Sequence, residues 1–309
     1  MSADLPAPPL PPSSRFAALA ARLRHFPPRG GGKSAIVGPV TRSARPLLMG
    51  IVNVTPDSFS DGGRFLDAGA AIVYARRLIA EGADILDIGG ESTRPGAAPA
   101  EAAEEVSRVV PVIEALRRES EVPISVDTMK PAVARAAAAA GASMWNDVTA
   151  LCWSPDSLAA AAELGCEVVL MHMQGEPRTM QKRPRYDDVV AEVAAFLAAR
   201  AEAAIAAGVA REKVWVDPGF GFGKTVAHNL ELIRGLPKIA ALGFPVVVGA
   251  SRKSSIPKIA GDRSSADQRL GGSIALALAA AKAGAAMLRV HDVAETKQAL
   301  AVAAAIGDG

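Results

Sequence analysis

Apolar runs of four to seven residues recur along the chain, and polar, chemically capable residues stand at the end of each. MGIVNVTPDSFSDGG follows Leu48, DILDIGGESTRPG starts at Asp84, ISVDT ends at Thr128 and MWND ends at Asp147. VVLMHMQ then ends at Gln174, VWVDPGFGFGK at Lys224, VVVGASRKS at Ser254 and MLRVHD at Asp292. A stretch with helical spacing follows each run. Eight such units predict an α/β chain folded as a single (β/α)8 TIM barrel with an N-terminal extension. In that fold the active site is built by the loops at the carboxyl ends of the strands.

Strands are expected near 47–54, 84–89, 123–128, 143–148, 167–172, 213–218, 245–250 and 286–291. Helices are expected near 66–82, 99–119, 130–140, 155–165, 187–207, 225–236, 266–283 and 293–305. VVLMH and PVVVGA are continuously apolar, as strands buried on both faces should be. The loops after the first and second strands are long and rich in Gly, Pro, Ser and Asp, which marks them as candidate mobile lids. Residues 46–309 form the barrel on this reading. Residues 1–45 are a flexible extension or a short helix closing the barrel's amino-terminal end. An Arg-rich, acid-poor start also fits an organelle transit peptide, although it lacks the apolar core of a secretory signal.

The chain has 309 residues, enough for one barrel of ~250 residues plus a tail. A net charge of +2 and 4% aromatic residues leave no basic, aromatic-laced footprint for nucleic acid. No apolar run reaches the ~20 residues that span a membrane. Cys152 and Cys166 fall at opposite ends of the expected barrel. They read as small packing residues of a reduced, cytoplasmic protein.

Two motifs invite chemistry that their spacing refuses. GFGFGKT (residues 219–225) resembles a phosphate loop, but three residues rather than four separate Gly219 from Gly223. PDSFSDGG resembles a calcium loop, but Phe59 stands where an oxygen ligand belongs.

Asp127, Asn146 and Asp217 each end a different strand. One alone reads as a helix cap. Three pointing into one mouth would form a polar floor, suited to a flat heterocycle with several N–H donors. Arg289 and His291 share one side of the last strand. With Asn53 they would make an anion site, while a structural imidazole is the competing role for His291. Ser251, Arg252 and Lys253 fall in the same ring of strand ends. Arg94, followed by a proline, lies on the second candidate lid.

At these residues the chain resembles the dihydropteroate synthase family. The likeness runs from about Leu47 to about Leu300. It includes NVTPDSFSDGG (53–63), GGESTRPG (89–96), SVDT (125–128), ND (146–147), MHMQG (171–175), DPGFGFGK (217–224), GASRKS (249–254), RLGGS (269–273) and RVHD (289–292). The resemblance implies condensation of 6-hydroxymethyl-7,8-dihydropterin pyrophosphate with p-aminobenzoate to 7,8-dihydropteroate and pyrophosphate, with Mg²⁺ as cofactor and sulfonamides as inhibitors. It implies that Asp127, Asn146, Asp217 and Lys253 hold the pterin. Asn53, Thr93, Arg289 and His291 would hold the pyrophosphate, with Asn53 also on the metal. Phe59, Arg94, Pro95, Phe222 and Ser251 would line the p-aminobenzoate pocket, and Asp61, Thr93, Arg94 and Lys253 would serve catalysis. A homodimer is implied as well. The chain departs from the family pattern in its long N-terminal extension and in SIPKIAGDRSS after Ser254, where the family more often has an aromatic residue and a Gly. A corrinoid-linked pterin methyltransferase shares the barrel and acidic floor but needs neither the anion clamp nor the first lid. A pterin-binding paralogue without catalysis is the non-enzymatic alternative, and the intact Asn53, Lys253, Arg289 and His291 speak against it.

Overall fold

Short strands buried on both faces form the centre of the computed structural model, which describes residues 45–55, 68–92 and 99–307. They are β1 (Leu47–Asn53), β2 (Ile85–Gly89), β3 (Ile124–Asp127), β4 (Met144–Asp147), β5 (Glu167–Met171), β6 (Val214–Asp217), β7 (Val247–Val248) and β8 (Met287–Val290). The described helices are α1 (Ala68–Glu81), α2 (Ala102–Glu119), α3 (Pro131–Ala139), α4 (Ser157–Leu164), α5 (Val189–Ala206), α6 (Val226–Ala240), α7 (Ser255–Ala260), α8 (Leu270–Lys282) and α9 (Val293–Gly307).

All pairings are parallel, in the order β6-β5-β4-β3-β2-β1-β8-β7. A single bridge between Val216 and Val246 brings the two end strands together, helped by Val216 N–H donating to Pro245 O at 3.0 Å. The expected strand 245–250 shrinks to two residues. Pro245 has no N–H to donate, and the chain turns away by Arg252, which adopts φ 57°.

Between the strands and the helices lies the main apolar core, which includes Leu86, Val112, Leu197 and Leu236. Two caps start helices where the sequence offers acceptors. Asp188 receives Val190 N–H and Ala191 N–H at the head of α5, and Thr225 with His228 forms a reciprocal capping box at the head of α6. The expected end of α6 before Pro237 is passed by one turn, in which Ile239 is buried. The segment after Ser254, expected as loop, forms α7 and ends at Gly261, whose φ of 73° terminates it. Helix α8 packs close to α7 because Gly272 has no side chain. A Cβ there would lie 2.4 Å from Ile256 Cγ2.

Cys152 follows β4 and Cys166 precedes β5, as expected, and both are free thiols. Cys152 is exposed, so the packing role expected of it is wrong. It lies in the loop beyond the strand end, outside the core.

One glycine shows how tightly the outer helices pack. Gly235 lies inside α6, where alanine would gain about 1 kcal/mol in helix propensity. Its Cβ would lie 2.5 Å from Cγ2 of the buried Val190 on α5, and a β-branched neighbour has little freedom to give way. Overpacking of this kind costs about 1–3 kcal/mol and wins. Gly235→Ala should therefore lower stability in urea unfolding, and adding Val190→Ala should recover part of the loss. A stabilised single variant would show that the helices slide apart freely.

Candidate active site

Arg289 organises the carboxyl end of the barrel. Its Nε donates to Asp87 Oδ2 at 2.6 Å, and one terminal nitrogen donates to Asp127 Oδ2 at 2.7 Å. Asn146 Nδ2 donates to the same Asp87 oxygen at 3.0 Å. Strand register sets this up, since Asp127 stands opposite Asn146, and Asp87 opposite Ser125 one layer deeper. Asp87 is fully buried, and its Oδ1 has no partner among the described residues. The neighbouring ND residue, Asp147, serves the backbone instead. It accepts from Thr149 N–H, the Thr149 hydroxyl and Leu151 N–H, which ties down a turn where Ala150 and Leu151 take positive φ.

Asp217 ends β6 and receives Gly219 N–H on Oδ1 at 2.7 Å. Gly219 needs its φ of 69° and its lack of a Cβ, which would meet His172 O at 1.9 Å. The Gly-rich turn thus seats itself on the end of β5, which is the physical reason for a pattern that fails as a phosphate loop. Phe222, in this turn, joins Met129, Val148, Met171 and Met180 in a small apolar cluster beside the polar floor. Lys253 Nζ lies 3.9 Å from the centre of the Phe222 ring, within cation–π range.

The loop after β7 sorts its residues by direction. Arg252 turns away to Asp292, its N–H donates to Ser273 Oγ, and its carbonyl accepts from Arg269. SRK and RLGGS are therefore one anchored unit, with Ser251 and Lys253 left on the site side. Ser251 Oγ lies 3.0 Å from His291 Nδ1 and also accepts His291 N–H at 3.3 Å.

Burial sets the charges of this cluster. Desolvation pushes the Asp127 carboxyl up to about 7, against the pull of Arg289. Asp217 rises to about 6 for the same reason, opposed by Gly219 N–H and by Lys253, Arg289 and Lys224. The Lys253 amine is pushed down to about 8 by burial and by Arg289.

The structure therefore brings together Asp127, Asn146, Asp217, Lys253, Phe222, Ser251, Arg289 and His291 at one end of the barrel, where Asn53 also ends β1. Arg289 lies within the acidic floor itself, and Ser251 is drawn to His291. Phe59, Asp61, Thr93, Arg94 and Pro95 lie outside the described residues. Sequence reasoning missed Asp87 and Lys224. In DILDIGG, Asp87 shares a strand face with Gly89, and that alternation was the available signal. Lys224 Nζ is buried against His172 Nδ1 at 2.9 Å.

Removing Arg289 would strand Asp87 in the barrel interior. Loss of one partner from a buried ion pair costs about 3–5 kcal/mol. Arg289→Met should lower stability by that order in denaturant titrations. The double variant with Asp87→Asn should regain much of it, and equal stability of all three would remove the ion pair from the fold's support.

The geometry has close relatives. The family model for pterin binding enzymes matches residues 49–291. Dihydropteroate synthase of Escherichia coli K12 is 49% identical over 259 residues, which cover 84% of this chain and 91% of that protein. The solved structure of Xanthomonas albilineans dihydropteroate synthase with 4-aminobenzoic acid superposes with a TM-score of 0.81 at 54% identity, covering 86% of this chain and 94% of that one. Yersinia pestis dihydropteroate synthase, solved with a sulfonamide drug, gives 0.81 at 47% identity, with coverage of 86% and 95%. With a pterin-binding model across most of the barrel and such identity over nearly whole relatives, this chain belongs to the dihydropteroate synthase family.

Proposed function

We propose that the cluster around Arg289 is where this chain, a dihydropteroate synthase, condenses 6-hydroxymethyl-7,8-dihydropterin pyrophosphate with p-aminobenzoate. The observation that carries this reading is the polar floor beside an apolar wall. Asp127, Asn146, Asp217 and Lys253 supply acceptors and donors, while Met129, Val148, Met171 and Phe222 cluster as the apolar wall. A pterin presents that combination, with an aminopyrimidine edge rich in N–H groups and a flat ring system. Asp217 accepts from the amidine-like edge, whose two parallel N–H groups match a carboxylate. Lys253 donates to ring nitrogen and carbonyl.

The diphosphate falls to His291 and Asn53, with Arg289 reinforcing the positive field from the floor. Ser251 Oγ already accepts the His291 N–H. The same hydroxyl lies 3.0 Å from His291 Nδ1, which fixes the orientation of the imidazole. No group of three or more His, Cys, Asp or Glu residues fit for a metal occurs among the described residues. Mg²⁺ keeps several waters and takes few protein oxygens when a substrate phosphate is present. The carboxamide oxygen of Asn53, a hard donor, fits that demand and would hold the ion. Bound there, Mg²⁺ would neutralise charge on the departing diphosphate.

The bond from the methylene carbon to the diphosphate oxygen breaks first, aided by electron release from the dihydropterin ring. The neutral aryl amine then attacks the methylene carbon and loses a proton. No strong protein base is needed. Asp61 on the first lid would orient the amine or receive that proton. Thr93, Arg94 and Pro95, with Phe59, would complete the p-aminobenzoate pocket that sulfonamides occupy. Among the described residues no helix is long and apolar enough to cross a membrane. A cytoplasmic homodimer is the assembly that the family likeness supports, and light scattering of the purified protein tests it.

Asp217 acts as a carboxylate, so pterin affinity should be full above about pH 6 and fall as pH drops through that value. Affinity constant down to pH 4 would take Asp217 out of the floor. Asp217→Asn should weaken the pterin more than p-aminobenzoate in calorimetry. Lys253→Met should remove most turnover while leaving the fold intact, because a lost hydrogen bond to a charged or buried partner costs about 1–3 kcal/mol or more. Near-normal turnover by the folded variant would place Lys253 outside the site.

A further inference from the structure

Lys224 is a buried amine with an unusual set of neighbours. It is 3% exposed. Its Nζ lies 2.9 Å from His172 Nδ1, 2.9 Å from Phe222 O and 3.3 Å from His172 O. An ammonium has three protons, and three acceptors meet them here. A ring nitrogen can accept only through its lone pair, so His172 is neutral with its proton on Nε2. Burial and the adjacent Lys224 charge push that imidazole down to about 3. Phe196 packs edge-on against the His172 ring at 4.9 Å, and Tyr186 lies 6.0 Å from both the ring and the amine.

Filling this space needs no charge, and a methionine would do it. Among the described residues no carboxylate lies within salt-bridge distance of Lys224, and burial pushes its amine down to about 7, with Asp217 opposing that shift and Lys253 adding to it. Its Nζ lies behind Gly219, 3.3 Å from where a Cβ of that residue would stand, and Gly219 N–H is the donor on Asp217. The amine also joins two pieces of backbone. It draws the carbonyl of Phe222 in the β6–α6 turn to the carbonyl of His172 at the end of β5. Gly223 lets the turn approach, since a Cβ there would meet Gln174 O at 2.5 Å. Tyr186 and Gln181 clasp the outer side through the carbonyls of Gly223 and Gly221. The site side of the same turn carries the Gly219 N–H on Asp217 and the Phe222 ring under Lys253.

We propose that Lys224 is a positioning residue for the pterin site, which holds Asp217 as a carboxylate and Phe222 beneath Lys253 from behind the turn. The proposal rests on the reading of Asp217 as a pterin contact. The groups bearing on Asp217 are Gly219 N–H of its own turn, Lys253 after β7, Arg289 on β8 and Lys224 at the head of α6. Removing the last of these raises the pH at which Asp217 gains its proton. Weaker binding should then be confined to neutral and acid pH. A residue that merely packs the turn would give a loss independent of pH.

The test is calorimetric titration of 6-hydroxymethyl-7,8-dihydropterin pyrophosphate into the full chain and its variants at about pH 5, below the Asp217 titration, and about pH 9. Comparison at each pH cancels ionisation of the ligand. Lys224→Met should bind about tenfold more weakly at the lower pH, the effect of one unit in pKa, and come within about threefold at the higher. Turnover at saturating pterin should change little, so KM moves and kcat does not. His172→Leu removes one acceptor and leaves both carbonyls. It should show the same narrowing with a smaller loss, and it carries the test if Lys224→Met fails to fold. An equal loss at both pH values, or no loss, overturns the proposal. Asp217→Asn is titrated alongside. Weak binding by that variant with unchanged Lys224→Met defeats the Lys224 role alone, whereas unaltered binding by Asp217→Asn defeats the pterin floor beneath it.

Discussion

The forked contact of Arg289 with Asp87 and Asp127 is the constraint on which the site depends. A guanidinium is planar and keeps its charge at any ordinary pH. Placed between two strand-borne carboxylates, it fixes the spacing of β2 and β3 relative to β8. It also lets an acidic floor exist beside the apolar core of the barrel. Three carboxylates, Asp87, Asp127 and Asp217, face three cations, Arg289, Lys253 and Lys224, so the cleft is close to neutral before a ligand arrives. A neutral heterocycle then meets acceptors already aimed at it, with little reorganisation left to make, which is how polar preorganisation favours binding and catalysis.

Close backbone approach is the second constraint. Gly219 and Gly223 seat the β6–α6 turn on β5, and Gly272 lets α8 meet α7. Each packs where a Cβ would collide with backbone or with a stiff side chain. The motifs DPGFGFGK and RLGGS thus describe a shape as much as a set of functional groups. Arg252 shows the same division of labour. Its guanidinium is spent on Asp292 so that the residues on either side face the cleft.

The barrel was legible because parallel strands buried on both faces leave continuous apolar runs, and because their ends carry polar residues at regular intervals. Boundaries fell within a few residues of expectation except where local chemistry intervened, at Pro245, at Pro237 and in α7. Six residues of SIPKIA hold too few turns for a helical period to show. Asp127, Asn146 and Asp217 were legible as strand-end acceptors. Asp87 was not, because a carboxylate within an apolar run gives no sign of its counter-ion, which stands 202 positions away. Arg289 read as an anion clamp for the same reason, since its two acidic partners come from other strands. Lys224 was hidden by a glycine pattern that suggests phosphate.

The seam between β6 and β7 gives the barrel one further property. Elsewhere two to five register pairs join adjacent strands, but here the single bridge of Val216 and Val246 carries the closure. Asp217 stands at the rim of one seam strand, and Lys253 follows the other. A ligand that touches both spans the weakest line in the sheet and acts as a removable rung across it. Binding and barrel closure thereby reinforce each other, because whatever binds the closed form alone stabilises it by mass action. Local opening of the empty protein should begin at this edge, so the amide of Val216 is a natural reporter of whether the cleft is filled.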